Sequence, residues 1–545
     1  MRRIYLVNPS SDFPTYFNGE SYEAYGFSRG VMIADLAIPT LAAMAAPYLE
    51  VALCDQSITP VDFQTTADFI GVTGKVSQYQ NLCSVADEFR RRGKVVLIGG
   101  PHASLSPDSL RDHCDILVRG EIEELAPTIF SDLRDGHWQH EYVGSKPSLQ
   151  ASPVPRWDLY PLERALLGTV QTSRGCPFEC EFCDVIQYAG RKQRHKDVEQ
   201  VLREVEELYR RGMRSIFLAD DNFTVYRARA KELLSALGRW NRAQTDGRVE
   251  FFTQVSIDVA KDEEMLRLAA DADLTRFYIG LETPNPESLR ETKKRQNLRV
   301  NLVDQVHKIT APGIMVTAGM IVGFDADGPD IFQTQYDFSM LAGIPITSVG
   351  VLVAPVATPL HARMKEAGRL KDNQAETAAS PWATNIAKHP KLTEAQLTEG
   401  LRWLGNNLYS PRAFAERVMT FIELFGTQYM ASAAKGPVTR RKAGTRLAGR
   451  SIDFDAVGML GKFRELGSEE RALWDQLIGA AQKKPVTMPF VCGILTQYMQ
   501  VRHMYETGHF WEPQLVVPPA PQPLLPRVSL KARQPEVDLP GKVLS

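Results

Sequence analysis

The 545-residue sequence lacks several features that mark whole classes of proteins. No run approaches the roughly 18–20 uninterrupted apolar residues of a membrane-spanning helix. The apolar stretch in the opening MRRIYLVNPSSDF is too short for a signal peptide and instead predicts a first β-strand. The 63 lysines and arginines are balanced by 65 acidic residues, and a net charge of −2 provides no general attraction for nucleic acid. We therefore expect neither a transmembrane segment nor a nucleic-acid partner.

Cysteine is also scarce. The 7 cysteines of the chain do not form the evenly spread pattern of a disulfide framework. Three of them fall within Gly175–Cys183, GCPFECEFC, at CxxxCxxC spacing. The others are isolated, and we interpret them as buried thiols: Cys54, Cys83, Cys114 and Cys492. This usage predicts a reducing, cytoplasmic environment.

The clustered cysteines, Cys176, Cys180 and Cys183, predict a metal centre. Thiolates are the ligands of iron–sulfur clusters, and four irons normally take four of them. Three thiolates without an obvious fourth therefore indicate a [4Fe–4S] cluster with one iron open to another ligand. Two alternatives remain: a zinc knuckle with His195 as fourth ligand, although zinc ligands usually form two separated pairs, or cysteines without a metal.

The N-terminal part, residues 1–145, has the pattern of a doubly wound parallel α/β sheet. Short apolar runs alternate with amphipathic helices such as Asn81–Arg91. The predicted strands are Ile4–Val7, Glu50–Leu53, Phe69–Val72, Val95–Ile98 and Ile116–Val118. Ligands bind such sheets at the carboxyl ends of the strands, which here carry the loops NPSSD, TGKVSQ, GGPHAS and RGEIEE. The pattern alone leaves open a nucleotide domain, a flavin domain, or a sheet that binds nothing.

A proline-rich linker, residues 146–164, leads to a second α/β domain at residues 165–360. Its predicted strands are Gly168–Thr172, Ser215–Ala219, Val249–Ser256, Arg276–Leu281, Ile314–Val322 and Ser348–Val353. Six strands in about 190 residues fit a partial (β/α)₆ barrel better than a closed eight-stranded barrel, which needs about 250.

The last third of the chain is predicted to be mainly helical. A C-terminal domain at residues 361–512 has its longest apolar-periodic stretches at Leu392–Phe425 and Pro489–Tyr505. Between them, Lys435–Arg450 is a basic segment, for which we leave open either an exposed loop or a peripheral contact with anionic lipid. Residues 513–545 form a proline-rich tail.

The cysteine loop, with the aromatic Phe182 before its third cysteine, resembles the signature loop of the radical S-adenosylmethionine (SAM) enzymes. In that family the open iron binds the amino and carboxylate groups of SAM, and an electron from the cluster cleaves SAM to a 5′-deoxyadenosyl radical. The resemblance implies SAM contacts at Phe182 and at the ends of barrel strands: Asp220, Gln254, Ser256, Glu282, Gly319, Ile321 and Gly323. It also implies an electron donor such as flavodoxin or ferredoxin.

The N-terminal loops, in the contexts GVTGKVSQ, LIGGPHASLSP and VRGEIEELAP, resemble the cobalamin-binding domain of cobalamin-dependent radical SAM enzymes. The resemblance implies that a corrinoid is lined by Thr73, Ser77, Gly99, Gly100, Pro101, Gly120 and Glu121. The D-x-H-x-x-G motif that supplies a cobalt-binding histidine in methionine-synthase-like proteins is absent. We therefore expect no protein histidine on cobalt, and His102 of the GGPH loop is not expected to take that role.

The stretches FFTQVSID, GLETPNPESLRETKKRQNL and GMIVGFDADGPDIFQTQYDF are most similar to the hopanoid A-ring methylases. This resemblance covers residues 1–370 well and the C-terminal region loosely. It implies a methyltransferase that uses SAM twice and methylates an unactivated carbon of a hopanoid or related lipid. Two alternatives stay open: a cobalamin-dependent radical SAM cyclase or rearrangement enzyme, and a non-catalytic iron–sulfur or cobalamin-binding protein. No residue is assigned to relay or quench the radical.

Overall fold

The computed structural model describes residues 1–371, 382–427 and 452–516. The basic segment Lys435–Arg450 and the tail from residue 517 onward lie outside the described residues. The described chain contains two parallel sheets followed by a helical domain, which confirms the predicted fold class.

The N-terminal sheet has six parallel strands in the order β3-β1-β4-β5-β6-β7. The elements of this part of the chain are β1 (Arg3–Asn8), α1 (Glu20–Ala24), β2 (Val31–Ile33), α2 (Ala37–Ala45), β3 (Glu50–Asp55), β4 (Phe69–Thr73), α3 (Tyr79–Arg91), β5 (Val95–Gly99), α4 (Pro101–Leu105), β6 (Ile116–Arg119), α5 (Ala126–Asp135) and β7 (Glu141–Val143). All five predicted strands are present. Because the strand order changes direction between β1 and β4, their carboxyl ends frame the crevice where doubly wound sheets bind ligands.

The second sheet has the order β15-β14-β13-β12-β11-β8-β2. Its part of the chain contains β8 (Ala165–Val170), β9 (Ser173–Arg174), α6 (Val185–Tyr188), β10 (Arg194–His195), α7 (Val198–Arg210), β11 (Ser215–Leu218), α8 (Arg227–Arg242), β12 (Glu250–Val255), α9 (Glu263–Asp271), β13 (Leu274–Glu282), α10 (Pro286–Glu291), α11 (Leu302–Thr310), β14 (Met315–Val322), α12 (Ile331–Ala342), β15 (Ile346–Val351) and α13 (Pro359–Glu366). Six of the seven strands are the predicted ones.

The seventh strand, β2, comes from the N-terminal part of the chain. It pairs in parallel with β8, with Val31 opposite Ala165 and Ile33 opposite Leu167. A segment assigned by sequence to the N-terminal domain is therefore an edge strand of the barrel sheet, and the two α/β parts share backbone hydrogen bonds.

The predicted linker, residues 146–164, is packed against both α/β parts rather than free. Trp157 and Tyr160 are buried in the hydrophobic core that the two sheets share. The Tyr160 hydroxyl donates to the Asp55 carboxylate at the end of β3, at 2.7 Å. On the other side, the Gln200 side-chain amide of α7 donates to the carbonyl of Leu149, at 3.1 Å. The prolines keep this segment out of the sheets, but its aromatic side chains anchor it between them.

The C-terminal domain consists of α14 (Glu394–Leu408), α15 (Pro411–Leu424), α16 (Ile452–Phe463), α17 (Ser468–Lys483) and α18 (Met488–Thr507). The predicted stretch Leu392–Phe425 is divided into two helices because Ser410 caps α15 and Pro411 occupies its first turn. The domain packs against the barrel edge, where the Tyr409 hydroxyl donates to the Thr347 carbonyl at 2.8 Å. Within the described ranges, every helix is too short or too polar to cross a membrane.

Candidate active site

A cavity of about 810 Å³ extends from the carboxyl ends of the N-terminal strands into the interior of the partial barrel. Its volume lies within the usual range for small-molecule and cofactor sites. All seven residues predicted to line a corrinoid lie on its wall: Thr73, Ser77, Gly99, Gly100, Pro101, Gly120 and Glu121. The barrel contributes Gln254, Phe217, Phe252 and Tyr278 to the same cavity. The structure thus brings the N-terminal loops and the barrel interior to one site.

The N-terminal loops are shaped for close approach of a ligand to the backbone. Gly100 has φ +99°, and a Cβ there would lie 2.7 Å from the Thr73 hydroxyl, so a side chain at this position would collide with its neighbours. Gln78 holds the adjoining loops together: its amide nitrogen donates to Asn8 at 2.9 Å, and its oxygen accepts from the Lys75 N–H at 2.9 Å. These features fit a large polar cofactor such as a corrinoid.

His102 is not part of this wall. Its ring is buried, lies 5.0 Å from the ring of Tyr79, and contacts the Ser109 hydroxyl at 3.2 Å. Burial lowers the pKa of His102 to about 4. Among the described residues that line the cavity, none is a histidine, and the absence of a protein histidine on cobalt stays a prediction.

Glu121 lies on the cavity wall but is held by ion pairs to the cysteine-loop region. Its carboxylate accepts from Arg174 Nη1 at 2.8 Å and from Arg194 Nη1 at 2.8 Å. Arg174 also pairs with Glu123 at 2.6 Å. Because Arg174 directly precedes Gly175 of the cysteine loop, these pairs fix the N-terminal loop relative to that loop. We call this group of four side chains the Glu121 clamp.

The cysteine loop is held by backbone hydrogen bonds. The Gly175 N–H donates to Asp221 at 2.7 Å, and the Cys176 N–H donates to the Gly190 carbonyl at 3.1 Å. Gly175 has φ +98°, and a Cβ there would be 2.7 Å from the Lys192 carbonyl oxygen. Only glycine therefore fits this turn.

The three thiols suit an iron–sulfur cluster. Burial raises the pKa of Cys176, and it raises that of Cys183 to about 12. Buried thiolates of this kind need adjacent positive charge, which bound iron supplies. In the described ranges, no group of three or more His, Cys, Asp or Glu side chains surrounds a point suited to a single metal ion. The ring of His195 instead lies 5.4 Å from that of Tyr226, so the structure does not favour the zinc alternative.

Lys294 is a further charged group at the cysteine loop. Its ammonium donates to Glu282 at 2.7 Å and lies 5.9 Å from the ring centre of Phe182. Although burial lowers it, the pKa of Lys294 is raised overall, because Glu282 and the sulfurs of Cys180 and Cys183 stabilise the cation. Glu282 itself has φ +64°, at a bulge between β13 and β14. This strained backbone directs Glu282 toward Lys294.

The structure places the other predicted SAM residues in four ways. Gln254 lines the cavity. Ile321 packs in the small cluster that also includes Phe182 and Phe324, beside the cysteine loop. Three others serve the local backbone or a neighbouring side chain: Asp220 accepts from the Thr172 and Ser173 N–H groups at 2.7 and 2.8 Å, Ser256 accepts from Asn222 at 2.6 Å, and the Gly323 N–H donates to Asp327 at 2.9 Å. Gly319 lies against Tyr278, whose hydroxyl would be 2.5 Å from a Cβ at that position. A direct SAM contact for these residues stays a prediction.

Several residues at the site were missed by sequence reasoning. Asp221, rather than Asp220, lines the cavity, and burial raises its pKa to about 6. Asp35 and Asp55 also line it, from segments with no motif. Lys294 lies within the stretch GLETPNPESLRETKKRQNL, but its place at the cysteine loop becomes evident only from its buried ion pair with Glu282. Phe17, from the segment between β1 and α1, had no signal in the sequence at all.

Comparisons with known proteins agree with this geometry. The model of the Radical SAM superfamily matches residues 170–333, and that of a domain of unknown function, DUF4070, matches residues 358–509. The chain is 35% identical over 369 residues to the uncharacterized methyltransferase sll1242 of Synechocystis sp., covering 66% of this chain and 68% of that protein. It is 30% identical over 384 residues to the hopanoid C-2 methylase of Rhodopseudomonas palustris, covering 68% and 71% respectively. Its fold is similar to that of the cobalamin-dependent SAM radical enzyme OxsB, solved with aqua-cobalamin and SAM bound, with TM-score 0.58, 14% identity, and coverage of 93% of this chain and 80% of that chain.

Proposed function

The chain belongs to the radical SAM methyltransferases, and on that premise we propose that it uses cobalamin and methylates an unactivated carbon of a hopanoid or related lipid. The observation that carries the proposal is the cavity, which is lined by the seven residues predicted to contact a corrinoid and by aromatic residues of the barrel. The similarity to the hopanoid C-2 methylase supports the choice of lipid.

When bound, the cluster and SAM supply the radical that removes hydrogen from carbon, and cobalamin supplies the methyl group. The residues that would hold these groups are Cys176, Cys180 and Cys183, whose sulfurs would bind iron, and the loops around Gly100, which would cradle the corrinoid. Lys294 places a positive charge beside the thiolates. In such enzymes the protein contributes position and exclusion of water rather than the chemistry itself.

The Glu121 clamp positions the cavity loop and the cysteine loop relative to each other. It joins the loop after β6, which lines the cavity, to the antiparallel pair β9 and β10, between which the cysteine loop lies. Transfer between two bound groups is sensitive to displacements of about 1 Å, so a rigid connection between their binding loops favours the reaction.

The barrel end of the cavity has the character expected for an apolar substrate. Phe217 and Phe252 lie with ring centres 5.1 Å apart, and both line the cavity with Tyr278. Aromatic rings bind hydrocarbon surfaces by burial of apolar area and by dispersion. The reaction also needs a one-electron donor, for which we propose a flavodoxin or ferredoxin.

The test is a product balance. The anaerobically reconstituted protein is supplied with reductant, SAM labelled in its methyl group, and an extract of hopanoids. A methyltransferase should release S-adenosylhomocysteine and 5′-deoxyadenosine in equal amounts, with one labelled lipid for each pair. A cyclase or rearrangement enzyme would release 5′-deoxyadenosine without S-adenosylhomocysteine. A non-catalytic binding protein would release neither.

A further inference from the structure

The segment between β1 and α1 forms one wall of the cavity. Thr15, Phe17 and Asn18 line it, whereas the intervening Tyr16 is buried on the opposite side. The ring of Phe17 meets that of Tyr278 edge-on, with centres 5.5 Å apart. A segment without regular secondary structure thus completes the aromatic surface at the barrel end. We call residues 15–18 the wall segment.

The wall segment is held from behind by helix α18 of the C-terminal domain. The Gln500 side chain donates to the Thr15 carbonyl at 2.8 Å and to Glu20 at 2.6 Å, and it accepts from the Ser21 N–H at 3.1 Å. One turn earlier, Gln497 donates to the Tyr16 carbonyl. Both glutamines are buried, so their hydrogen bonds are not exchanged readily for bonds to water.

A third residue of α18 fixes the side chain of Tyr16. The Tyr505 and Tyr16 hydroxyls lie 2.8 Å apart, and the Tyr16 hydroxyl donates to the Val349 carbonyl of β15 at 3.3 Å. With its own proton donated to Val349, Tyr16 accepts from Tyr505. Tyr16 is therefore pinned between the barrel edge and α18, and this orientation presents the next residue, Phe17, to the cavity.

We propose that the C-terminal domain supports the wall segment, and that Phe17 selects substrates with a large apolar surface, such as fused hydrocarbon rings. The family model for residues 358–509, which include α18, describes a domain of unknown function, and this support would be its role. The four aromatic side chains Phe17, Phe217, Phe252 and Tyr278 offer no charge to a polar substrate. The selection of substrate rests on the proposed function, whereas the support of the wall does not.

The support is tested by hydrogen exchange in the full chain without cofactors. Gln500→Ala removes three hydrogen bonds to residues 15–21 and is expected to raise amide exchange there about 100-fold. Thr496→Ala is the matched control on the same helix, because its hydroxyl donates to the Cys492 carbonyl of that helix, at 3.1 Å. Gln497→Ala is a second, milder test should Gln500→Ala fold poorly. Equal amide exchange in Gln500→Ala, Gln497→Ala and Thr496→Ala would contradict the proposal that the C-terminal domain supports the wall segment.

The selection is tested by kinetics with hopene as the apolar probe. Phe17→Ala is expected to raise KM at least tenfold with a smaller change in kcat, and Phe17→Leu is expected to restore KM toward the original value. An unchanged KM in Phe17→Ala would contradict the proposal that Phe17 selects substrates with a large apolar surface. If the unaltered protein does not methylate hopene or any hopanoid, the proposed function and the selection by Phe17 both fail, while the exchange experiment still decides the support.

Discussion

The charge of Glu121 can be removed without changing the shape of its side chain, by Glu121→Gln. Sequence resemblance assigned this residue to the corrinoid, but the structure surrounds its carboxylate with Arg174 and Arg194. The side chains of Glu121, Arg174 and Arg194 are 11, 20 and 13% exposed, so the charges are largely desolvated. Removal of one partner from a buried ion pair costs about 3–5 kcal/mol.

The lower end of that range applies here. Arg174 keeps its pair with Glu123, and Arg194 keeps a hydrogen bond to the Pro147 carbonyl at 2.7 Å. We therefore expect a loss of about 3 kcal/mol in the local stability of the junction, which is about a 100-fold increase in amide exchange. Glu141→Gln is the matched control, because Glu141 also binds two arginines but its pairs are more exposed, with 30% of the Glu141 side chain exposed. Its effect should be small, since exposed ion pairs are weak.

The assay is hydrogen exchange at residues 119–124 and 173–176 in the cofactor-free protein, with a separate titration of cobalamin. A similar exchange rate in Glu121→Gln and Glu141→Gln would refute the clamp. If exchange stays unchanged while cobalamin affinity falls at least tenfold, Glu121 is a ligand contact, as the resemblance alone implied.

Three further predictions concern metal, cobalt and pH. Replacement of Cys176, Cys180 or Cys183 by Ala should abolish SAM cleavage and reduce the amount of bound iron. As a control, Cys492→Ala should retain both SAM cleavage and iron. Full activity in any of the first three variants would disprove the cluster assignment. His102→Ala should leave the visible spectrum of bound hydroxocobalamin unchanged, because His102 is buried away from the cavity wall. Loss of the spectral signature of an axial nitrogen in this variant would show that His102 is a cobalt ligand. Burial, with a smaller effect of nearby Asp35, raises the pKa of Asp55 from 3.8 to about 6. Asp55 therefore contributes about 3 kcal/mol to the free energy of unfolding below pH 3.8. This contribution is lost as the pH rises through about 6. Urea unfolding from pH 4 to 7 should show this decline, and Asp55→Asn should remove that part of it; an identical pH dependence in both proteins would contradict the assignment.

Local features of the fold were predictable because their causes are local. The helix Val198–Arg210 follows from its apolar face, and the strand Phe69–Thr73 follows from a short apolar run before a turn. The same holds for the loops that line the cavity. In a parallel sheet the carboxyl ends of all strands meet at one edge, so Thr73, Gly100 and Glu121 could be placed together from strand positions alone.

The sequence by itself predicted the cofactor chemistry: the cysteine spacing indicates the cluster within a few residues, and the resemblance of the N-terminal loops to a known family implies cobalamin. Tertiary structure alone decided which side chains are free to bind and what encloses the substrate. Glu121 and Asp220 have the residue types that ligands require, yet both carboxylates are occupied by partners about 47–73 residues away. Val31–Ile33 joins the barrel sheet, and Phe17 is presented by Gln500 and Tyr505, almost 500 residues later. Such contacts depend on long-range packing, and no periodicity or spacing within one stretch of chain encodes them.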